Sequence, residues 1–137
     1  MGIISDYSDG TPAISFTLRD KSGKIMVQRG GDQIYYAAST IKLAIAMALI
    51  QDIDAGKYTW AQTIPATHKF ASAWGGYFSL ADDPVEVDEL LPPVGTPMNL
   101  EVILHAMIER SSNEATNMIL DRIGIPRVQR LSNDRGM

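Results

Sequence analysis

The sequence predicts an α/β chain in which a β-hairpin comes first and helices follow. Apolar and polar residues alternate near the N-terminus, which is typical of strands with one buried side, whereas after residue 40 the apolar residues recur at helical spacing. The chain has 137 residues, of which 45% are hydrophobic and 20% charged, so it is long and apolar enough to form one globular domain with a buried core.

The predicted hairpin occupies residues 1–30. Residues 1–11 are polar and form a short lead-in, and Ala13–Arg19 places alternate apolar side chains on one face of a first strand. The Asp-Lys-Ser-Gly run at residues 20–23 is a typical turn, and Ile25–Gln28 forms the second strand. A lone hairpin is only marginally stable in water, so this pattern indicates that the other strands of the sheet lie outside the sequence.

The rest of the chain is predicted to be mainly helical. Thr40–Ile53 is apolar on nearly every side, and such a helix is normally buried all round in the middle of a domain. Asn99 can cap a helix that runs from Leu100 to about Arg110. A further helix is predicted over Glu114–Ile123, and another begins near Pro126, a residue suited to the first turn of a helix.

The segment Tyr58–Pro97 is the least regular part of the sequence. It contains several prolines, the pair Gly75-Gly76 and an acidic stretch from Asp82 to Glu89. Prolines and glycines interrupt regular elements, so we expect a long excursion with short helical pieces rather than a linker between domains.

Composition and charge exclude several classes of function. The net charge is −4 and no basic face is available, so a nucleic acid is not expected as a partner. The chain has no cysteine, and His68 and His105 are isolated from other ligand types, so we predict no metal and no cofactor. The longest apolar run, Ile41–Ile50, is too short to span a membrane, and no signal peptide is recognised.

Ser39 and Lys42 are the first candidates for catalysis. They lie three residues apart at a helix start, so both side chains share one face of the helix. A serine needs an adjacent base to become a nucleophile, and a lysine can be that base only when burial among apolar side chains lowers its pKa. Lys42 is the single charge in its apolar run, so the pattern fits this chemistry, and the helix N-terminus would stabilise an oxyanion beside Ser39.

Three structural alternatives compete with this interpretation. Ser39 or Thr40 can serve simply as a helix cap, Lys42 can extend its ammonium group to the surface, and a Ser-x-x-Lys spacing can arise by chance. The spacing alone therefore does not decide between a catalytic and a structural role. A charge inside an otherwise apolar helix is costly without a partner, and this favours the catalytic interpretation.

Two longer motifs carry a resemblance to a known family. Residues 35–43, Tyr-Tyr-Ala-Ala-Ser-Thr-Ile-Lys-Leu, resemble the nucleophile motif of class A β-lactamases and penicillin-binding proteins. Residues 107–117, Met-Ile-Glu-Arg-Ser-Ser-Asn-Glu-Ala-Thr-Asn, look like the Ser-Asp-Asn element of the same family. The resemblance implies a β-lactamase/transpeptidase-like α/β fold, with the N-terminal hairpin and the helical subdomain present and the C-terminal strands absent.

The resemblance also implies a role for each of four residues. Ser39 would be acylated by a β-lactam or a related acyl compound, and Lys42 would help to remove its proton. Ser111 would pass a proton to the leaving nitrogen, and Asn113 would hydrogen-bond the amide side chain of the substrate and Lys42. The structural alternative is that Ser111, Ser112 or Asn113 caps the helix that follows.

The sequence departs from the family pattern in several places. Ser112 replaces the middle aspartate of the second motif, which removes a negative charge. The long segment between the motifs suggests an insertion around Trp74–Pro93. This insertion would shape the rim of a cleft with Trp74, Tyr77 and Phe78; ordinary packing is the alternative for these aromatic side chains and is favoured for Phe78.

Two further elements of the family pattern should follow the second motif, and the sequence lacks both. They are a Lys-Thr/Ser-Gly strand, which binds a substrate carboxylate, and the loop glutamate that activates the deacylating water in class A enzymes. Lys21-Ser22-Gly23 stands before the nucleophile and is interpreted as a hairpin turn. We therefore predict a single partial domain over residues 1–137, with a hairpin over 1–30 and a mainly helical region over 31–137.

The resemblance implies a serine β-lactamase-like hydrolase that works through an acyl-enzyme on Ser39 and is incomplete in this chain alone. The alternatives are a peptidase or esterase of the same family, and a non-catalytic binding module for which Ser112 would be one sign of relaxed catalytic need. The expected partners are a small-molecule β-lactam or acyl substrate and either a complementary C-terminal chain or further copies of this one. Members of the family are usually exported, but the sequence leaves the location open.

Overall fold

A computed structural model describes residues 15–33, 36–72, 74–80 and 92–135 of the chain. These residues belong to two compact units, Met1–Tyr36 and Ala37–Met137. The first unit contains a β-hairpin, and the second contains helices and short strands, so the predicted mixed α/β class is confirmed. The predicted lead-in and the first two residues of the predicted first strand lie outside the described part of the chain.

The first unit is an antiparallel hairpin of two strands, β1 (Phe16–Arg19) and β2 (Ile25–Arg29). In the turn between them, Asp20 Oδ1 accepts hydrogen bonds from the backbone N–H (2.8 Å) and from the hydroxyl (2.6 Å) of Ser22. Gly23 has a φ of +86°, a conformation that glycine adopts at little cost. The Lys-Ser-Gly run is therefore part of a turn, as predicted.

Four helices form the main part of the second unit as the structure describes it: α1 (Ile41–Asp54), α2 (Leu100–Glu109), α3 (Asn113–Ile123) and α4 (Ile125–Arg135). Their bounds agree closely with the predicted helices. The predicted cap of α2 is present, because Asn99 Oδ1 accepts a hydrogen bond from the backbone N–H of Val102 at 2.8 Å. Gly124 has a φ of +84° and allows α4 to begin directly after α3.

Short strands occupy the segment between α1 and α2: β3 (Thr63–Pro65), β4 (Lys69–Ala71), β5 (Tyr77–Ser79) and β6 (Pro97–Asn99). Strand β3 pairs with β6 and β4 pairs with β5, both in antiparallel fashion. The prediction of short helical pieces is therefore wrong for the described residues of this segment. The acidic stretch from Asp82 to Glu89 lies outside them.

Side-chain shape and glycine geometry explain these strands. Ile64, Phe70 and Phe78 are β-branched or aromatic, and such residues favour a pleated, half-buried surface. Gly75 and Gly76 have φ values of +92° and +72°, which other residues rarely adopt, and they form the tight turn between β4 and β5. The glycine pair allows the chain to reverse, so two extended segments pair within the excursion for which short helical pieces were predicted.

The core of the second unit is built on one face of α1. The buried apolar residues of the helices α1 to α3 include Ala44, Ile45, Ala48, Leu49, Leu100, Ile103, Met107, Met118 and Ile119. The prediction that α1 is buried all round is wrong, because Ile41, Leu43 and Ile50 are exposed. The helix therefore carries a second apolar face that the described residues leave open to solvent. None of the described helices combines the length and the apolar character needed to cross a membrane.

A buried carboxylate joins the end of α1 to the start of α4. Asp52 accepts hydrogen bonds from Lys57 Nζ (2.8 Å) and Arg127 Nε (2.8 Å), and Arg127 also donates to Gln51 Oε1 at 2.9 Å. Burial raises the pKa of Asp52, but the hydrogen bonds and charges of Lys57 and Arg127 outweigh it and hold the pKa below its ordinary value of 3.8. The ionised carboxylate therefore stabilises the contact between these two helices.

We expect Asp52→Asn to lower the free energy of unfolding by about 1–3 kcal/mol at neutral pH, because hydrogen bonds to a charged carboxylate are lost. The contribution of the carboxylate is present above the unfolded pKa of about 3.9 and is lost as the pH falls through the lower folded pKa. Chemical denaturation at about pH 7 and about pH 2 should therefore show a difference between wild type and variant that shrinks in acid. The exposed Asp54→Asn is the control, and an equal loss in both variants at neutral pH would contradict this role.

Candidate active site

Ser39 lies in a short 3₁₀ turn, Ala38–Thr40, directly before α1. No side-chain capping bond is made at the start of this turn or of α1, and the Thr40 hydroxyl donates to the Ala37 carbonyl instead. Ser39 is also exposed at the surface. Capping therefore does not account for Ser39 or Thr40, and the Ser39 hydroxyl is accessible to a substrate.

Lys42 points into the protein rather than to the surface. The residue is 5% exposed, and its Nζ donates to Ser111 Oγ at 2.9 Å and to Asn113 Oδ1 at 2.8 Å. It also donates to the backbone oxygen of Ser111 at 2.5 Å, and Ser39 Oγ lies 3.4 Å away. The alternative in which Lys42 extends to the solvent is therefore wrong. The buried ammonium group has hydrogen-bond acceptors on Ser111 and Asn113.

The Ser111 hydroxyl bridges the serine and the lysine. Ser111 Oγ donates to Ser39 Oγ at 3.0 Å while it accepts from Lys42 Nζ. Lys42 Nζ lies within 2.9 Å of acceptors on Ser111 and Asn113, so its 3.4 Å contact to Ser39 Oγ is the weakest of these four. The structure thus brings together all four predicted residues, Asn113 included, although their catalytic roles remain predictions.

Ser112 caps the helix that follows the second motif. Its Oγ accepts a hydrogen bond from the backbone N–H of Ala115 at 3.0 Å, and the residue is buried. The capping alternative therefore holds for Ser112 and leaves Ser111 and Asn113 to contact Lys42. Serine and aspartate are about equally good caps, so replacement of the aspartate of the family motif keeps the backbone of this turn in place.

Backbone strain is found at Ser111 and at Ala38, the residue directly before Ser39. Among the residues that the structure describes, the non-glycine residues with positive φ are Ala38 (+43°) and Ser111 (+59°). Such conformations cost about 1–3 kcal/mol each and persist only where the surroundings determine them. One stands directly before Ser39 and the other is Ser111 itself, so the contacts of the cluster fix the direction of both hydroxyl groups.

Two helix N-termini meet at the cluster. Ser39 precedes the first turn of α1, and Ser111 and Ser112 precede the first turn of α3. Each helix N-terminus carries about half a positive charge, which favours negative charge nearby and disfavours an ammonium group. The arrangement therefore suits an alkoxide-like Ser39 oxygen.

Sequence reasoning missed a histidine–glutamate pair next to the cluster. His68 Nδ1 lies 2.5 Å from Oε1 of Glu114, whose side chain is fully buried. No periodicity connects two residues 46 positions apart, so the sequence carries no signal for this pair. A second pair, His105 and Glu109, follows the helical i,i+4 spacing and could have been found. Within the described ranges, no three His, Asp or Glu side chains come together as a metal site requires.

The aromatic residues of the predicted insertion have different environments. Phe78 packs against Phe70 with ring centroids 5.8 Å apart, which is ordinary hydrophobic packing. Trp74 and Tyr77 are exposed, and Lys69 Nζ lies 5.0 Å from the centre of the Tyr77 ring. A place for Trp74 and Tyr77 at the rim of a substrate cleft stays a prediction.

Comparison with known proteins agrees with this arrangement. The sequence matches the β-lactamase enzyme family over residues 2–137, which is nearly its whole length. The chain belongs to the β-lactamase enzyme family. A comparison with curated proteins gives no match. Membership confirms the resemblance carried by the two motifs and makes this a serine β-lactamase-like chain at the level of the family.

Solved structures show the same fold. The β-lactamase from Sphaerobacter thermophilus DSM 20745 is 24% identical, with a TM-score of 0.67 over 90% of this chain and 42% of that chain. PBP-A is 26% identical, with a TM-score of 0.60 over 80% of this chain and 38% of that chain. A point mutant of PBP-A, in an acyl-enzyme complex with penicillin G, is 26% identical, with a TM-score of 0.64 and coverages of 90% and 42%. The predicted β-lactamase/transpeptidase-like fold is therefore confirmed, and this chain spans about two fifths of the length of these structures.

We expect Ser112→Ala to lower the free energy of unfolding by about 1 kcal/mol, because the capping bond to Ala115 is lost. Ser112→Asp should be at least as stable as wild type, since it restores the cap and places a negative charge at a helix N-terminus. Chemical denaturation measures both variants, and Ser132→Ala, a serine within α4, is the control. An aspartate variant less stable than the alanine variant would argue against a capping role.

Proposed function

We propose that this chain carries the acylating part of a serine β-lactamase-like active site, with Ser39 as the nucleophile and a β-lactam amide as the substrate. The observation that carries this proposal is the continuous path of hydrogen bonds from Ser39 Oγ through Ser111 Oγ (3.0 Å) to Lys42 Nζ (2.9 Å). A nucleophilic hydroxyl needs a base within hydrogen-bond reach, directly or through one intermediate group. The path provides that connection.

Before acylation, the ammonium group of Lys42 releases one proton to solvent, and Lys42 then acts as a neutral amine. Its lone pair accepts a proton from Ser111, which takes one from Ser39 as the Ser39 oxygen forms a bond to the carbonyl carbon of the lactam. The tetrahedral intermediate then collapses and the lactam C–N bond breaks. The leaving nitrogen receives a proton from Ser111, which is resupplied by the Lys42 ammonium group. The product is an ester on Ser39, with Lys42 again neutral and every proton accounted for.

Asn113 and the helix N-termini support this step. Asn113 Oδ1 accepts from Lys42 Nζ at 2.8 Å, which orients the side-chain amide so that its nitrogen would donate to the amide side chain of the substrate. The partial positive charges at the starts of α1 and α3 favour the negative charge that develops on oxygen in the transition state. Preorganised dipoles of this kind lower the barrier without rearrangement during the reaction.

The family and one of the similar structures support a β-lactam as the substrate class. The PBP-A mutant forms an acyl-enzyme complex with penicillin G, which supports a β-lactam as the acyl donor here. A peptidase or esterase of the same family would share the nucleophile arrangement, and turnover of a panel of β-lactams, peptides and esters separates these classes. A non-catalytic binding module is less well supported, because Ser112 has a capping role and need not mark relaxed catalysis.

Complete turnover needs groups beyond those described above. We propose that a complementary C-terminal part of the fold supplies them and covers the open face of α1. Two apolar grooves, of about 780 Å³ and about 480 Å³, flank the exposed Leu43 on this helix. A contiguous exposed apolar surface is typical of a region that another part of a protein covers.

A fluorescent penicillin tests the nucleophile directly. Wild-type chain, incubated alone and with the complementary C-terminal half, should gain a covalent adduct on Ser39, and Ser39→Ala should gain none. Ser22→Ala, which changes a serine of the hairpin turn, is the matched control and should be labelled like wild type. Intact-mass spectrometry and peptide mapping locate the adduct. If Ser39 carries no adduct even with the C-terminal half present, the proposal fails.

Lys42→Arg tests the base. Arginine keeps the positive charge and the hydrogen-bond donors but is not deprotonated in proteins. We expect the rate of Ser39 labelling to fall at least about 10²-fold, because the proton acceptor is lost. Lys57→Arg, a lysine that binds Asp52 at the far end of α1, is the matched control and should leave the rate unchanged. Labelling of a folded Lys42→Arg at the wild-type rate would assign the base to another group.

A further inference from the structure

Glu114, the residue after Asn113, is a fully buried carboxylate for which the acylation step has no use. Its Oε1 lies 2.5 Å from His68 Nδ1, and its Oε2 has no hydrogen-bond partner among the residues that the structure describes. Removing a carboxylate from water is costly unless the group is paired. Glu114 lies in the first turn of α3, the helix that also carries Asn113. A costly group at this place indicates that Glu114 helps to hold α3 in position.

His68 connects Glu114 to a different part of the unit. It lies in the loop between β3 and β4, and its backbone oxygen accepts a hydrogen bond from the N–H of Leu80 at 3.2 Å. The side-chain hydrogen bonds of Thr116 and Asn117, by contrast, stay within α3 and its cap. Those bonds shape the helix without attaching it to its surroundings, whereas the Glu114–His68 contact attaches it.

Asn113 and Glu114 anchor the start of α3 on two sides. Asn113 Oδ1 contacts Lys42 Nζ, and the next side chain contacts His68. Successive residues of an α-helix point about 100° apart, since one turn takes 3.6 residues. Two anchors in different directions resist rotation of the helix about its axis, and rotation is the motion that would move Asn113 away from Lys42.

We propose that Glu114 and His68 are a positioning pair, which fixes the rotation of α3 and thereby holds Asn113 and Ser111 at bonding distance from Lys42. Its consequence for acylation rests on the proposed function. A displacement of about 1 Å near reacting groups can slow a reaction about 10²-fold. Loss of the pair should therefore slow the acylation of Ser39 more than it weakens substrate binding.

The chain contains a matched control pair on α2. His105 Nδ1 lies 2.7 Å from Glu109 Oε1, which is the same chemistry in a different environment. These side chains are 60% and 62% exposed, whereas the His68 side chain is 23% exposed and that of Glu114 is 0% exposed. Exposed ion pairs contribute little to stability, so substitution of Glu109 removes a histidine–glutamate pair without removing an anchor.

Saturation kinetics of Ser39 labelling by a fluorescent penicillin give the first test. Glu114→Met removes the pair but fills its volume, a replacement that buried ion pairs often tolerate, and His68→Leu, which has no hydrogen-bond donor, removes it from the other side. The maximal labelling rate should fall about ten- to a hundredfold in both variants, with the half-saturating concentration changed less than about threefold. Glu114→Gln, which keeps an acceptor for His68, should recover most of the rate, and Glu109→Met should match wild type. A wild-type rate in folded Glu114→Met overturns the proposal.

NMR spectroscopy separates this inference from the proposed function. In wild type, His68 should carry a proton on Nδ1, where the ring faces Glu114. Glu114→Met should shift the side-chain amide signals of Asn113, whereas Glu109→Met should leave them in place. If these shifts occur but no form is labelled, the positioning pair stands and the proposed function fails. If the Asn113 signals are unchanged in Glu114→Met, the positioning role is overturned, whatever the labelling shows.

Discussion

A buried ammonium group must be surrounded by hydrogen-bond acceptors, and Lys42 finds them on a segment 69 to 71 residues further along the chain. This requirement joins the first turn of α1 to the turn before α3. Removal of the Ser111 hydroxyl or the Asn113 amide would cost the ammonium group one acceptor, at about 1–3 kcal/mol. The contacts that arrange the site therefore also hold the two helices together.

The surrounding structure supports this contact between Lys42 and the turn before α3. Ala38 and Ser111 adopt strained backbone conformations, and Ser112 caps α3 so that Ser111 and Asn113 are available to Lys42. Strain of this kind persists only when neighbouring interactions outweigh it. Capping, burial and hydrogen bonding at the start of α3 provide those interactions. The candidate site is therefore rigid by construction, which is the condition under which fixed dipoles stabilise a transition state.

Much of this arrangement could be predicted from the sequence, because local signals are strong where helices form. Apolar periodicity and caps located the four α-helices of the described residues, and two ordered motifs selected the four residues that meet in the cluster. Strands β3 to β6 were missed because each is three residues long and because Thr63 of β3 pairs with Asn99 of β6, far along the chain. The His68–Glu114 contact was missed for a similar reason, since pairing across 46 residues depends on the finished fold. The open face of α1 has no sequence signal, because an apolar run does not reveal which of its sides is covered.

The cap at Ser112 bears on how the family motif should be read. What this position must supply is an oxygen that accepts from the N–H of Ala115, and serine, threonine, asparagine and aspartate all provide one at similar free energy. Substitution among these four types is then close to neutral for the fold, and sequences can drift among them. A motif search that demands an aspartate between Ser111 and Asn113 would overlook chains of this kind. Ser111 and Asn113, which contact Lys42, are better markers for identifying distant members of the family.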